Sequence, residues 1–223
     1  MTTAANETAG RLFAPIAPTY ERWARLLSLG QDGRWRRVMV DRLSLADGSN
    51  VLDVAAGTGS ITKLMQARGH RVVAVDLSPE MLERHPGPAR VQARAEVLPF
   101  RAESFDGLTF GYLLRYVEDP VSCLIELSRV VKPGGCLGMV EFGRPTGSWR
   151  RPWQIYSGVF LPAAGRLISP GWHEVGRFLR RSIEDFYDRY PDPGQPWREA
   201  GLVEVVVKRL SLGGGLVVWG RKQ

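Results

Sequence analysis

Val51-Leu52-Asp53-Val54-Ala55-Ala56-Gly57-Thr58-Gly59-Ser60 is the stretch on which the reading of this chain turns. An apolar run ends in an acid, a turn of small residues follows, and Ile61-Thr62-Lys63-Leu64-Met65 continues with helical spacing. The pattern predicts a buried strand, a tight corner and a helix running from about Ser60, the expected N-cap, to Arg68. Backbone at such a corner can approach a ligand where side chains are missing, and the helix N–H groups point at it. A single corner of this kind is also compatible with a plain strand–helix connection. Gly57-x-Gly59 is followed by Thr62 where a dinucleotide fingerprint has its third glycine, which argues against a nicotinamide cofactor.

Working outward toward the C-terminus, the alternation repeats. Arg71 to Val75 is a second strand ending in Asp76, and Ser78-Pro79 opens a helix that His85-Pro86-Gly87-Pro88 breaks. Strands are expected over Arg90–Ala95, Glu103–Phe110 and Cys136–Phe142, with a helix opened by Asp119-Pro120 and a turn at Lys132–Gly135. Strand and helix alternating at this spacing predict a doubly wound, Rossmann-like α/β sheet. Ligands bind such sheets at the carboxyl ends of the strands, which puts Asp53, Asp76, Ala95, Phe110 and Glu141 on one rim.

Upstream, residues 1–10 are expected to be a loose terminus and 11–48 helical, with Trp35, Val38, Met39 and Leu43 inward and arginines on the opposite face. From Gly143 to Pro193 the rhythm fails. Two aromatic groups there, around Trp149–Leu161 and Phe178–Tyr187, predict helices covering the rim. A helix at Trp197–Ala200 and strands at Leu202–Val207 and Leu216–Trp219 close the chain. The expected organisation is one domain. It comprises a helical cap over 1–48, a core over 49–142, a helical lid over 143–193 and a final helix and strand pair over 194–223.

A chain of 223 residues is long enough to bury roughly 70–75% of its unfolded surface without staples. Cys123 and Cys136 lack metal-site spacing and make no disulfide framework, so no metal is expected and a reducing, cytoplasmic setting is. No apolar run approaches the roughly 20 residues of a membrane-spanning helix, and the N-terminus has no signal pattern. The net charge of +7 comes mostly from scattered arginines, without the Lys/Arg block that tracks phosphates, so nucleic acid is not an expected partner.

Two carboxylates bear on the cofactor. Asp76, at the end of the second strand, can accept both hydroxyls of a ribose. Asp53 can compensate an ammonium directly or through water, while amides of Gly57 to Ser60 take a carboxylate end. S-adenosylmethionine (SAM), which carries a ribose, a carboxylate and a cationic ammonium and sulfonium, is a ligand these residues fit. Ala95 can offer its backbone N–H to the adenine edge, with Leu98 or Phe100 against the ring face.

The set VLDVAAGTG, VDLSPEML, AEVLPF, SFDGLTFGYLLRYVEDP and VVKPGG resembles the class I SAM-dependent methyltransferases. More narrowly, Phe13 to Tyr20, Leu27-Ser28-Leu29-Gly30, Trp35-Arg36-Arg37, Arg115 to Asp119, Glu141 to Pro145 and Phe178 to Ile183 are similar to stretches of the ubiquinone/menaquinone biosynthesis C-methyltransferases. The resemblance implies a seven-stranded sheet whose last strand is antiparallel. It also implies SAM as donor, S-adenosylhomocysteine as product, and a small, fairly apolar acceptor methylated at a ring carbon, as in demethylmenaquinol. The implied donor site comprises Tyr20, Asp53, Ala55, Gly57, Thr58, Gly59, Asp76, Leu77, Met81, Ala95, Glu96 and Phe110. Arg115, Tyr116 and Glu141 are the catalytic candidates, and Tyr112, Tyr156 and His173 the pocket candidates. Departures from the family pattern are Tyr116 in place of asparagine, Arg94 before Ala95, Ser60 in place of an acid, and Trp219 where histidine is frequent.

Alternatives are methylation of oxygen or nitrogen in a secondary metabolite, and a SAM-binding regulator without catalysis. The aromatic and arginine content of Gly143–Arg181 fits either an internal lid, the preferred reading, or rest on a membrane surface. A homodimer is the oligomer considered.

Overall fold

The structure, a computed structural model, describes residues 4–223, with side chains from residue 7 onward. Among these, seven strands form one sheet in the order β3-β2-β1-β4-β5-β7-β6. The strands are β1 (Asn50–Val54), β2 (Arg71–Asp76), β3 (Arg90–Gln92), β4 (Phe105–Gly111), β5 (Val131–Phe142), β6 (Leu202–Leu210) and β7 (Gly215–Lys222). β1 to β5 pair in parallel, and β7 runs antiparallel to both β5 and β6. The central strands β1 and β4 are buried nearly throughout, as a sheet covered on both faces requires.

Two buried clusters cover the two faces. One joins Phe110, Leu124, Leu127, Phe186, Tyr187 and Trp197, beneath helices α6 (Pro120–Arg129), α9 (Pro170–Arg189) and α10 (Gln195–Glu199). The other joins Met39, Val40 and Leu43 of α3 (Gln31–Arg42) to Ile61 and Met65 of α4 (Ser60–Gln66) over Val51, Val140 and Val217. The short α5 (Pro79–Glu83) follows β2, with the Ser78 hydroxyl accepting from the Met81 amide as expected of its N-cap.

Several local expectations are corrected. Ala4–Phe13 is a helix, α1, rather than a loose terminus; Met1 to Thr3 lie outside the described residues. The N-cap of α4 is Gly59, not Ser60, because the left-handed conformation there (φ +85°) suits glycine. Lys132–Gly135 is not a turn outside the sheet but an excursion within β5. Phe105 pairs with Val131, and Gly107 then pairs with Cys136. Gly134, at φ +74°, lets the extra residues bulge out. β3 ends at Gln92 rather than Ala95, since the chain bends where Arg94 bridges Val97. The arginines of α3 do not all face water: Arg36 is buried.

The segment after β5 is helical, as expected. α7 (Arg150–Ile155) passes through a π-helical turn (Tyr156–Phe160) into α8 (Leu161–Ile168), and α9 returns antiparallel beneath it. α2 (Tyr20–Leu27) contributes Tyr20 to two adjoining cavities, and its other residues are half-buried or exposed.

Candidate active site

Residues 55, 57 and 59 at the end of β1 all have positive φ (+53°, +55° and +85°). Alternating such residues with ordinary ones turns successive N–H groups toward one side, the geometry of an anion-binding nest. Gly57 has open space where a Cβ would stand, and that space is the donor cavity. Glu21 of α2 sits on the corner from above. It accepts from Thr58 Oγ1 (3.2 Å) and lies 2.8 Å from Lys63 Nζ, which fixes the cap over the nest.

The donor cavity encloses about 900 Å³, open mouth included. Of the residues implied for the donor, Tyr20, Ala55, Gly57, Thr58, Asp76, Leu77, Met81, Ala95 and Glu96 line it. Asp76 accepts from the Gly57 amide at 2.7 Å and the Ser78 amide at 2.9 Å. Each carboxylate oxygen has two lone pairs, so capacity remains for two hydroxyls. Burial raises the Asp76 pKa, and the amides of Ser78 and Gly57 oppose the rise.

Three implied residues sit elsewhere. Asp53 does not reach the cavity: its carboxylate is fully buried and is bound by Thr62 Oγ1 (2.6 Å) and Thr109 Oγ1 (2.9 Å). Thr62 in turn meets His85 Nε2 at 3.0 Å. Burial pushes the Asp53 pKa up to about 6, against the pull of the two threonines. Asp53 therefore supports the corner from behind. Phe110 points into the core and stacks on Trp197, with centroids 5.7 Å apart. Gly59 lies behind the cavity wall, where a Cβ would stand 2.6 Å from Pro86 Cδ.

A second cavity, about 1200 Å³ with its mouth, adjoins the first. Its walls are mostly apolar and come from α2, α3, the ends of β4 and β5, the π-helical turn and α9. Phe13, Tyr20, Tyr112 and Tyr116 line both cavities and form the partition between them. Tyr116 is held between Phe13 (centroids 5.3 Å apart) and Phe178 (5.7 Å). Tyr112 adopts φ +57°, an uncommon conformation for an aromatic residue and one that clusters at functional sites. Tyr156 lines this second cavity; His173 does not, and its Nδ1 lies 3.0 Å from the Pro162 carbonyl on the outer side of the lid.

Two buried ionic groups serve the partition. Arg115 Nε lies 3.0 Å from Glu141 Oε1, with the side chains 1% and 0% exposed. Arg115 Nη1 donates to Ser182 Oγ at 2.6 Å, and the guanidinium lies over the rings of Tyr116 and Phe142. Burial works against the charge of Arg115, but Glu141 and Tyr116 outweigh it and its pKa rises. Glu141 reaches no cavity; burial raises its pKa, with Arg115 and the Phe142 amide opposing. Arg115 lines the second cavity, and Glu141 lies behind it as its ion-pair partner.

The other group is Asp32 with Arg36, which the sequence pattern does not single out. Arg36 Nε donates to both Asp32 oxygens (2.9 and 3.0 Å), and the Tyr112 hydroxyl also donates to Asp32. Burial pushes the Tyr20 phenol up to about 12, against the Arg36 guanidinium beside it. The available signal was the i,i+4 spacing of Asp32 and Arg36 next to the buried Trp35 and Met39. Glu21, Phe13 and Trp172, which stacks on Tyr20 at 6.3 Å, carried no sequence signal of their role.

A sheet of this topology with a nest and an acid at the ends of its first two strands defines the class I SAM-dependent methyltransferase fold. A SAM-dependent methyltransferase from Thermotoga maritima matches it with a TM-score of 0.64 at 20% identity, over 95% of this chain and 99% of that one. The profile of the ubiE/COQ5 methyltransferase family matches residues 1–222, and the chain belongs to that family. Among its relatives, the demethylmenaquinone methyltransferase of Renibacterium salmoninarum is 41% identical over 216 residues, covering 94% of this chain and 89% of that protein. The ubiquinone/menaquinone biosynthesis C-methyltransferase of Syntrophotalea carbinolica is 40% identical over 186 residues, covering 78% of each. The chain is thus a methyltransferase with SAM as its methyl donor. Among the described residues, no helix is long and apolar enough to cross a membrane.

Proposed function

We propose that the chain transfers the methyl group of SAM to a ring carbon of a lipophilic quinol of the demethylmenaquinol type. The observation that carries this reading is the partition. A cavity with a ribose-competent carboxylate and a nest meets a larger, mostly apolar cavity across four aromatic side chains, with a buried arginine on the acceptor side. The names of the relatives above point to the same acceptor.

Asp76 and the residue 55–59 nest fit SAM, the first for its ribose hydroxyls and the second for its carboxylate. When bound, SAM supplies an electrophilic methyl group on a sulfonium, a good leaving group. The protein's task is to align the acceptor carbon with that methyl and to exclude water. Phe13, Tyr20, Tyr112 and Tyr116 serve as the collar around the transfer path. A quinol becomes nucleophilic at carbon when its hydroxyl is ionised. Arg115, its charge secured by Glu141 and Ser182, retains donors for that oxygen and stabilises the oxyanion in a dry setting. With S-adenosylhomocysteine released, the hydrogen on the attacked carbon departs as a proton to bulk solvent as aromaticity returns, and the product oxyanion takes up one proton, so each transfer releases one proton overall.

The test is incubation of the pure protein with methyl-labelled SAM and a panel containing a short-tailed demethylmenaquinol, a catechol and an aromatic amine. The label is expected on a ring carbon of the quinol. Transfer only to oxygen or nitrogen, in any member of the panel, overturns the reading.

A further inference from the structure

The lid turns apolar side chains outward. Ile155 is 64% exposed, Val159 64%, Phe160 52% and Leu167 90%, and Leu26 and Leu29 at the end of α2 are 59% and 76% exposed. Positions 155, 159, 163 and 167 fall at intervals of one turn, so they form a ridge along α7, the π-helical turn and α8. This ridge reaches the mouth of the acceptor cavity. Phe160 stacks on the cavity-lining Tyr156 (5.4 Å), and the Tyr156 hydroxyl donates to the Leu27 carbonyl, which joins the end of α2 to the turn. Leu29 is both exposed and part of the cavity wall.

The charge around the ridge has one sign. Between Glu141 and Glu174 the chain has no acidic residue and has Arg144, Arg150, Arg151 and Arg166. Arg144 and Arg150 are held by Glu184. Arg151 and Arg166, next to the ridge, are exposed and form no ion pair among the described residues; the same is true of Arg25 beside Leu26. Exposed apolar side chains in a contiguous group mark an interaction surface. An apolar ridge flanked by unpaired arginines is the pattern of a helix lying in the interface of an anionic bilayer. A second copy of the chain is a poorer occupant, because a two-fold contact along the lid would set arginines against arginines with no carboxylate between them.

We propose that the ridge of α7–α8, together with the end of α2, docks on the surface of a bilayer containing anionic lipid, so that the acceptor passes from the lipid into the cavity mouth. The route of the acceptor rests on the quinol reading; the docking itself does not. Vesicles of mixed phosphatidylglycerol and phosphatidylcholine, and vesicles of phosphatidylcholine alone, are sedimented with the full chain, with V159D/L167D and with R151A/R166A. None of these four residues lines either cavity.

The wild type is expected to sediment with the mixed vesicles and to be released by high salt. R151A/R166A should bind about thirtyfold more weakly, the factor two basic residues contribute near such a surface. V159D/L167D should not sediment, and both variants should keep wild-type activity toward a short-tailed, water-soluble acceptor. Wild type that stays in solution, or variants that bind like it, overturn the proposal. So does a wild-type dimer that V159D/L167D dissociates, since the ridge is then a contact between copies. Vesicle binding as expected, in a protein that methylates no quinol, supports docking and counts against the quinol reading alone.

Discussion

Replacing Arg115 with alanine separates its part in holding the fold from its part in the reaction. The Arg115–Glu141 pair is 1% and 0% exposed, and Arg115 also holds Ser182 and packs over Tyr116 and Phe142. Removing one member of a buried pair leaves the other uncompensated, at a cost of about 3–5 kcal/mol. In R115A the remaining Glu141 can relieve the cost only by taking a proton. Its pKa, already raised by burial and held down in part by Arg115, rises further in the variant. A carboxyl whose folded pKa exceeds its unfolded one stabilises the fold at low pH and loses that contribution as pH climbs through the folded value. The gap between R115A and wild type should therefore be small in acid and widest at alkaline pH.

R115A/E141Q removes the stranded charge and should regain about 2 kcal/mol at alkaline pH, leaving the lost packing and the unfilled space. Urea unfolding followed by tryptophan fluorescence at low and high pH measures all of this. Equal destabilisation of the single and double variants, independent of pH, refutes an ionised Glu141 held by Arg115. The double variant also isolates function: it should bind SAM as wild type does and methylate the acceptor far more slowly. Full turnover in it removes Arg115 from the reaction.

Two further changes test the donor side. D76N keeps the shape but sets an amide N–H₂ against donors, and SAM affinity by calorimetry should fall at least about tenfold, the cost of losing one charged hydrogen bond; unchanged affinity refutes the ribose role. D53N should alter the pH profile of stability. With its pKa raised from 3.8 to about 6, Asp53 stabilises the fold fully below its unfolded pKa and loses about 3 kcal/mol as pH rises through the folded value. Unfolding free energies measured across that window should lose this slope in D53N, and a slope like that of wild type refutes the assignment to Asp53.

The donor half of the site was legible because it is local. The strand, the corner and the helix start occupy consecutive residues, and Asp76 follows the next strand at the expected interval. Gly57 and Gly59 are the residues whose positive φ the sequence makes legible; the positive φ of Ala55 is not, because alanine's Cβ disfavours it. Asp53 shows the limit of such reading. An acid at the end of a strand is equally suited to face a ligand or to brace the turn from beneath. The choice depends on which face its neighbours leave for it, here Thr62 and Thr109 in the core.

The acceptor half is built from partners that the sequence separates widely: Arg115 with Ser182, Asp32 with Tyr112, Thr19 with Trp172. Nothing in the local pattern around any one of them names the other. Composition alone does not separate an internal lid from a membrane-resting one, because the lid helices are apolar on two sides. Trp153, Tyr156 and Leu161 line the cavity, while Ile155, Val159 and Leu167 on the same helices face outward. An exposed apolar face beside a cavity mouth is the kind of surface that marks an interaction site. In this chain that face is bordered by exposed arginines and lies beside the mouth of an apolar cavity, so the same pair of helices carries both the acceptor proposal and the docking proposal.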